Sequence, residues 1–200
     1  GISVDQEEQT EQSPRIAGPS AAEIEQVEEF ARDGAWDRAN RTVIDLHTQY
    51  PEWGVPIGLR GRLRRGLRNT RIAEAISVSD WQTALDLLGQ VSAGYCDDDY
   101  RLWARADTLA GLADQGQLRD FYLKAIRECG STKHPDLLRS ATGKLNIAGL
   151  EAILAEDVFT PPVSDETNSA LAEMRSMLNE RQFHARLEEG KPQLAAELAL

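Results

Sequence analysis

The chain has 200 residues, 28% charged and 41% hydrophobic, which is enough for one sizeable core and excludes a wholly disordered protein. Its formal net charge of −11 argues against a general coat for nucleic acid, which needs a basic footprint. No apolar run nears the ~20 residues of a membrane span, and no N-terminal stretch reads as an uncleaved signal peptide.

Residues 1–20 carry Asp5, Glu7, Glu8 and Glu11 against a single Arg15 and have almost nothing to bury. This predicts a disordered acidic leader or an interdomain linker. From residue 21 to 200 the pattern is helical, so the expected fold class is all-α. Ile24, Val27, Phe30 and Ala31 recur at helical spacing and Gly34 supplies a stop. Trp36, Ala39, Val43 and Leu46 share the face of a second helix that Pro51 ends. The segment PEWGVPIG, with two Pro and two Gly, predicts an irregular connector. Helical hairpins are expected over about 21–51, 59–96 and 98–135, followed by helical blocks at 136–156 and 165–200. The final QLAAELAL reads as a helix cut short, as though further units followed. Strand signals are nearly absent.

Paired short helices invite a search for repetition. The series Gly34, Trp36, Ala39, Val43, Leu46, Pro51 recurs at the same increments as Ser79, Trp81, Ala84, Leu88, Val91, Cys96. A third, partial copy runs from Gly116 through Leu118, Phe121 and Ala125. A small residue lets the chain reverse, a large apolar one fills the gap between helices, and a small Ala admits the neighbouring helix. Trp36, Ala39, Trp81 and Ala84 are therefore expected in the repeat core. The arrangement resembles the tetratricopeptide repeat (TPR), a helical hairpin of about 34 residues whose stacked copies make an α-solenoid with a concave binding surface. It departs from that family in the 45-residue interval from Trp36 to Trp81 and in polar residues such as Glu23 and Gln26 on the first helix. The alternative is a helical bundle in which the coincidences reflect only helix periodicity.

Catalytic patterns are absent. His47, His134 and His184 lie far apart, and no phosphate-binding glycine loop or metal-binding spacing occurs. The protein is read as a non-enzyme with no metal and no cofactor. Acidic clusters such as Asp97, Asp98 and Asp99 fit a helix N-terminus.

The arginines are more specific. Between Gly54 and Ile72 there are six, with no acid. At 100° per residue Arg60, Arg64, Arg68 and Arg71 fall within an arc of about 80°. Net charge is −7 over residues 1–33, +5 over 34–72 and −9 beyond. The stripe either binds an anionic partner or pairs with internal acids such as those of residues 21–33.

Cys96 precedes the first helix of the third hairpin and Cys129 ends the second, so both thiols lie at one end of it. Either they form a disulfide, implying an oxidising compartment, or they are half-buried thiols in a cytoplasmic protein. Trp103 is expected in the core, whereas Trp53 in the connector is either exposed or an anchor for that loop.

Together these readings predict a non-enzymatic scaffold that binds protein partners through a concave solenoid surface, with no nucleic acid and no membrane span in this segment. The resemblance implies a periplasmic or extracytoplasmic repeat region, as in bacterial exopolysaccharide synthesis and secretion systems. The rival function is direct binding of an anionic polysaccharide by the arginine stripe.

Overall fold

A computed structural model describes residues 18–89, 95–160, 162–190 and 192–199. Those residues form ten α-helices and three single turns of 3-10 helix, with no strand among them. The leader expected over 1–20 falls mostly on residues 1–17, outside the described residues. Ser20, assigned to that leader, is instead the N-cap of the first helix: its hydroxyl accepts from Glu23 N at 3.2 Å while the Glu23 carboxylate accepts from Ser20 N at 2.7 Å. The chain divides into two compact units, residues 1–70 and 71–200.

In the first unit, α1 (Ala21–Arg32) and α2 (Trp36–Gln49) form an antiparallel hairpin, and α3 (Ile57–Ser77) begins after the Pro-rich connector. Val27, Ala39, Val43, Leu46, Leu59 and Leu63 are buried together, with Phe30, Trp36, Tyr50, Trp53 and Val55 packed around them. Burying each large aliphatic side chain contributes roughly 1.5–3 kcal/mol. Trp53 is thus a half-buried anchor of its loop, and its carbonyl accepts from His47 Nδ1 at 3.2 Å.

The second unit holds the end of α3, then α4 (Trp81–Gly89), α5 (Asp99–Gly111), α6 (Gln115–Glu128), α7 (His134–Lys144), α8 (Ile147–Leu154), α9 (Asp165–Glu188) and α10 (Pro192–Ala199). Its main core joins Leu102, Leu118, Tyr122, Ile126, Leu137, Leu150, Ile153 and Met174. The block expected over 136–156 is two helices. Leu145 is extended, and Asn146 Oδ1 caps α8 by accepting from Gly149 N at 3.0 Å.

One local geometry recurs at three hairpin turns. Gly34, Ser79 and Ala113 take the left-handed backbone conformation, with φ of 72°, 58° and 56°. Their amides donate to the carbonyls of Ala31, Ile76 and Ala110 at 3.2, 3.0 and 3.1 Å, closing the preceding helix. At the first two turns the next amide also reaches back five residues, Ala35 to Phe30 and Asp80 to Ala75, each at 2.8 Å. Two residues beyond each turn stand Trp36, Trp81 and Gln115, and each meets the chain 30 residues further on. Trp36 lies flat against Gly66, and Trp81 against Gly111, so closely that a Cβ at either glycine would overlap the indole. Gln115 brackets Leu145, donating to Lys144 O at 3.1 Å and accepting from Asn146 N at 2.8 Å.

The third copy therefore starts at Ala113 and not at Gly116. Gly116 sits in the first turn of α6, and the reversal is made by a residue with a Cβ, so a search for glycine finds the wrong position. The corrected copy places Leu118, Tyr122 and Ala125 in register with Ala39, Val43 and Leu46, and all six are buried. In the second copy Ala84 and Leu88 are buried likewise, while Val91 lies outside the described residues.

Candidate functional site

The end of α3 and the first turns of α5 leave an open groove of about 350 Å³ in the second unit. Ala73, Ile76 and Ser77 form one wall, and Tyr100, Trp103, Ala104 and Asp107 the other. Small residues at 73 and 104 hollow the groove, while Tyr100, 39% exposed, and the half-buried Trp103 give it aromatic surface. Val78, the residue after α3, is 73% exposed. Burial and the nearby Asp98 raise the Tyr100 phenol above its ordinary value, so it stays a neutral hydroxyl at physiological pH. Asp107 brings a negative charge to the groove and pairs with Lys144 at 3.2 Å. Trp103, expected in the core, is thus partly a groove residue. Helical spacing identifies which side chains share a face; it does not say where a facing helix leaves room.

The arginines of α3 separate into two groups. Arg62, which is not one of the four stripe residues, reaches Glu28 of α1 at 2.6 Å. Its guanidinium holds the Glu28 carboxyl below the usual range. Arg60 donates to the Val55 carbonyl at 3.4 Å. Arg64, Arg65 and Arg68 make no ion pair among the described residues; Arg64 and Arg65 are exposed and Arg68 is half-buried. Arg71 follows them on α3 but belongs to the second unit.

Cys96 and Cys129 are joined by a disulfide with Cα atoms 5.3 Å apart, linking the turn before α5 to the end of α6. Beside it the Tyr95 hydroxyl donates to Glu128 Oε2 at 3.3 Å, and burial followed by that carboxylate pushes the phenol up to about 12. Trp36 and Trp81 are half-buried on their glycines, while Ala39 and Ala84 are fully buried.

His47 belongs to the first unit, and His134 and His184 to the second. His134 is buried and donates Nε2–H to Ile126 O at 2.9 Å; His184 lies 3.8 Å from Glu180 on α9. Among the described residues no three His, Cys, Asp or Glu are grouped to hold a metal ion, and no helix is long and apolar enough to cross a membrane.

Fold and site together define an all-helical protein with an apolar groove, a basic helix face and one disulfide. No family model, curated protein or solved structure matches the chain.

Proposed function

We propose that this protein is a non-enzymatic interaction scaffold, built of tetratricopeptide-like hairpins stacked as an α-solenoid, that holds a segment of a protein partner. The observation that carries the reading is the threefold recurrence at Gly34, Ser79 and Ala113, each followed by a side chain that grips the chain 30 residues on. A contact repeated at constant offset is what stacking of like hairpins requires. The groove between α3 and α5 is the partner's seat in this reading, because it combines aromatic surface with small residues that leave space.

The test is affinity capture from the source organism with the full chain and with a Ser77→Arg, Tyr100→Glu variant, both at the groove surface. Loss of the captured partner at unchanged helicity and melting temperature supports the scaffold. Capture of the same partner by both proteins overturns the groove as its seat.

A second reading is supported by Arg64, Arg65 and Arg68, which have no acidic partner among the described residues: an anionic polysaccharide lies along the basic face of α3. Alginate is a suitable probe. Binding that falls steeply between low and high salt, and vanishes in an Arg64→Glu, Arg68→Glu variant, favours this reading, and salt-insensitive binding removes it. The disulfide supports a periplasmic or other extracytoplasmic location, since such bonds persist in oxidising compartments. A place in exopolysaccharide secretion rests on the resemblance to that class of repeat scaffold alone.

A further inference from the structure

A second cleft, of about 280 Å³, opens in the second unit between α4, the turn at 95–97, α5 and α6. Its apolar lining is Leu85, Leu109, Phe121 and the Tyr95 ring, the last two in tilted contact with centroids 5.7 Å apart. Four polar residues complete it: Arg105, Gln117, Asp120 and Lys124. Two of them are already satisfied. The Gln117 amide donates to Asp114 Oδ2 at 3.1 Å, and Asp120 accepts two hydrogen bonds from Arg119 at 3.0 and 3.1 Å. The Tyr95 hydroxyl is likewise committed to Glu128.

Arg105 and Lys124 differ. Neither has a hydrogen bond or an ion pair among the described residues. For Lys124, which is exposed, that is ordinary. Arg105 is half-buried, and a guanidinium drawn partly out of water calls for an acceptor. The other half-buried arginines of this unit have theirs: Arg119 bonds Asp120, and Arg181 donates to the Thr142 and Leu145 carbonyls; the more deeply buried Arg101 lies 3.3 Å from Asp98 with no hydrogen bond from its Nε. Arg105 comes from α5 and Lys124 from α6, so two cations from facing helices border one apolar cleft.

We propose that this cleft binds a monocarboxylate on an apolar body, its carboxylate taken by Arg105 and Lys124 and its body seated against Leu85, Leu109, Tyr95 and Phe121. The planar guanidinium offers two parallel N–H groups to a carboxylate, and the ammonium adds a point charge. Asp120 is paired with Arg119, which leaves Arg105 and Lys124 as the two unpaired charges of the lining, both available to one carboxylate. The volume admits one ring or one leucine-sized group. Such a ligand is either a small organic acid or the free C-terminal residue of a peptide, and the two share this chemistry.

Titrating the isotope-labelled full chain with phenylacetate, and separately with acetyl-Ala-Ala-Leu, while following the methyl resonances of Leu85 and Leu109 by NMR tests the site. Phenylacetamide and the C-terminal amide of the peptide are the neutral controls. Saturable shifts with at least one carboxylate, weakened about tenfold or more in its amide, are expected, and the tighter carboxylate identifies the source. Lys124→Gln, at an exposed position, weakens binding, and Arg105→Gln weakens it further. Absence of saturable shifts from both carboxylates, or equal binding of the amides, overturns the proposal on the unmodified chain, whether or not Arg105→Gln folds. Groove variants at Ser77 and Tyr100 leave this binding unchanged, so its failure is separate from that of the scaffold.

Discussion

The Trp36 indole rests on the backbone of Gly66, in the space a side chain there would need. A glycine inside a helix ordinarily costs about 1 kcal/mol relative to alanine, so Gly→Ala should stabilise. At Gly66 the added methyl meets a rigid bicyclic ring, and displacing that ring costs roughly 1–3 kcal/mol, which outweighs the helical gain. Gly61, on the same helix, has nothing within 4 Å of where its Cβ would stand. Urea denaturation should therefore show opposite signs within α3: Gly66→Ala destabilises, and Gly61→Ala stabilises by up to ~1 kcal/mol. Gly111→Ala, beneath Trp81, should behave as Gly66→Ala does. Equal effects at positions 61 and 66 would mean that the ring and the glycine are not in contact.

The left-handed turns give a second sign test. Gly34 takes that conformation without a steric cost, whereas Ser79 and Ala113 hold a Cβ against the following carbonyl, at about 1–2 kcal/mol each. Ser79→Gly and Ala113→Gly relieve this, offset in part by the greater freedom of glycine in the unfolded chain. The expected net gain is a few tenths to ~1 kcal/mol, while Gly34→Ala loses ~1 kcal/mol. Melting temperatures of the three variants check it, and a loss on Ser79→Gly of the size seen on Gly34→Ala contradicts the shared geometry.

Helix positions were largely legible because apolar spacing and terminating residues state them directly, as at Val27 and Ala31 or at Pro51. The break at Leu145 was not, because a single extended residue followed by an Asn cap changes no periodicity. The third turn was misplaced because Ala113 gives no compositional sign of a positive φ. Of the candidate sites, the arginine row and the two cysteines could be found by spacing alone. That Arg62 serves Glu28 while Arg64 is exposed and Arg68 half-buried depends on which side of α3 packs, and this is fixed by Leu59, Leu63 and the Trp36 ring together. The groove at Tyr100 and Trp103 and the cleft at Arg105 depend on space between helices, which no one-dimensional pattern records.

Reduction tests the Cys96–Cys129 link. It closes a loop of 33 residues, and on the chain-entropy argument its removal lowers stability by about 3–4 kcal/mol. Denaturation with and without dithiothreitol should differ by that order, and Cys96→Ser with Cys129→Ser should match the reduced protein. The unreduced protein, unfolded in guanidinium, should show no free thiol. Two titratable thiols under those conditions would contradict the bond.

Acid stability tests the pairing of α1 with α3. The hydrogen bond from Arg62, with its charge, lowers the Glu28 carboxyl below its ordinary value near 4.5, and the amide and hydroxyl of Ser20 lower Glu23 in the same direction. A carboxyl depressed in the folded state contributes stability that is complete above its unfolded value and is lost as pH falls through the folded one. Stability should therefore hold from neutral pH to about 4.5 and decline below it, the range over which Glu28 and Glu23 take up protons. Glu28→Gln removes one contributor, so its denaturation midpoint starts lower at pH 7 and falls less steeply below pH ~4.5. The pair is largely solvated, so the difference should be small and should shrink further in high salt. An acid limb in Glu28→Gln as steep as in the parent would show that Arg62 does not act on this carboxylate in the folded chain.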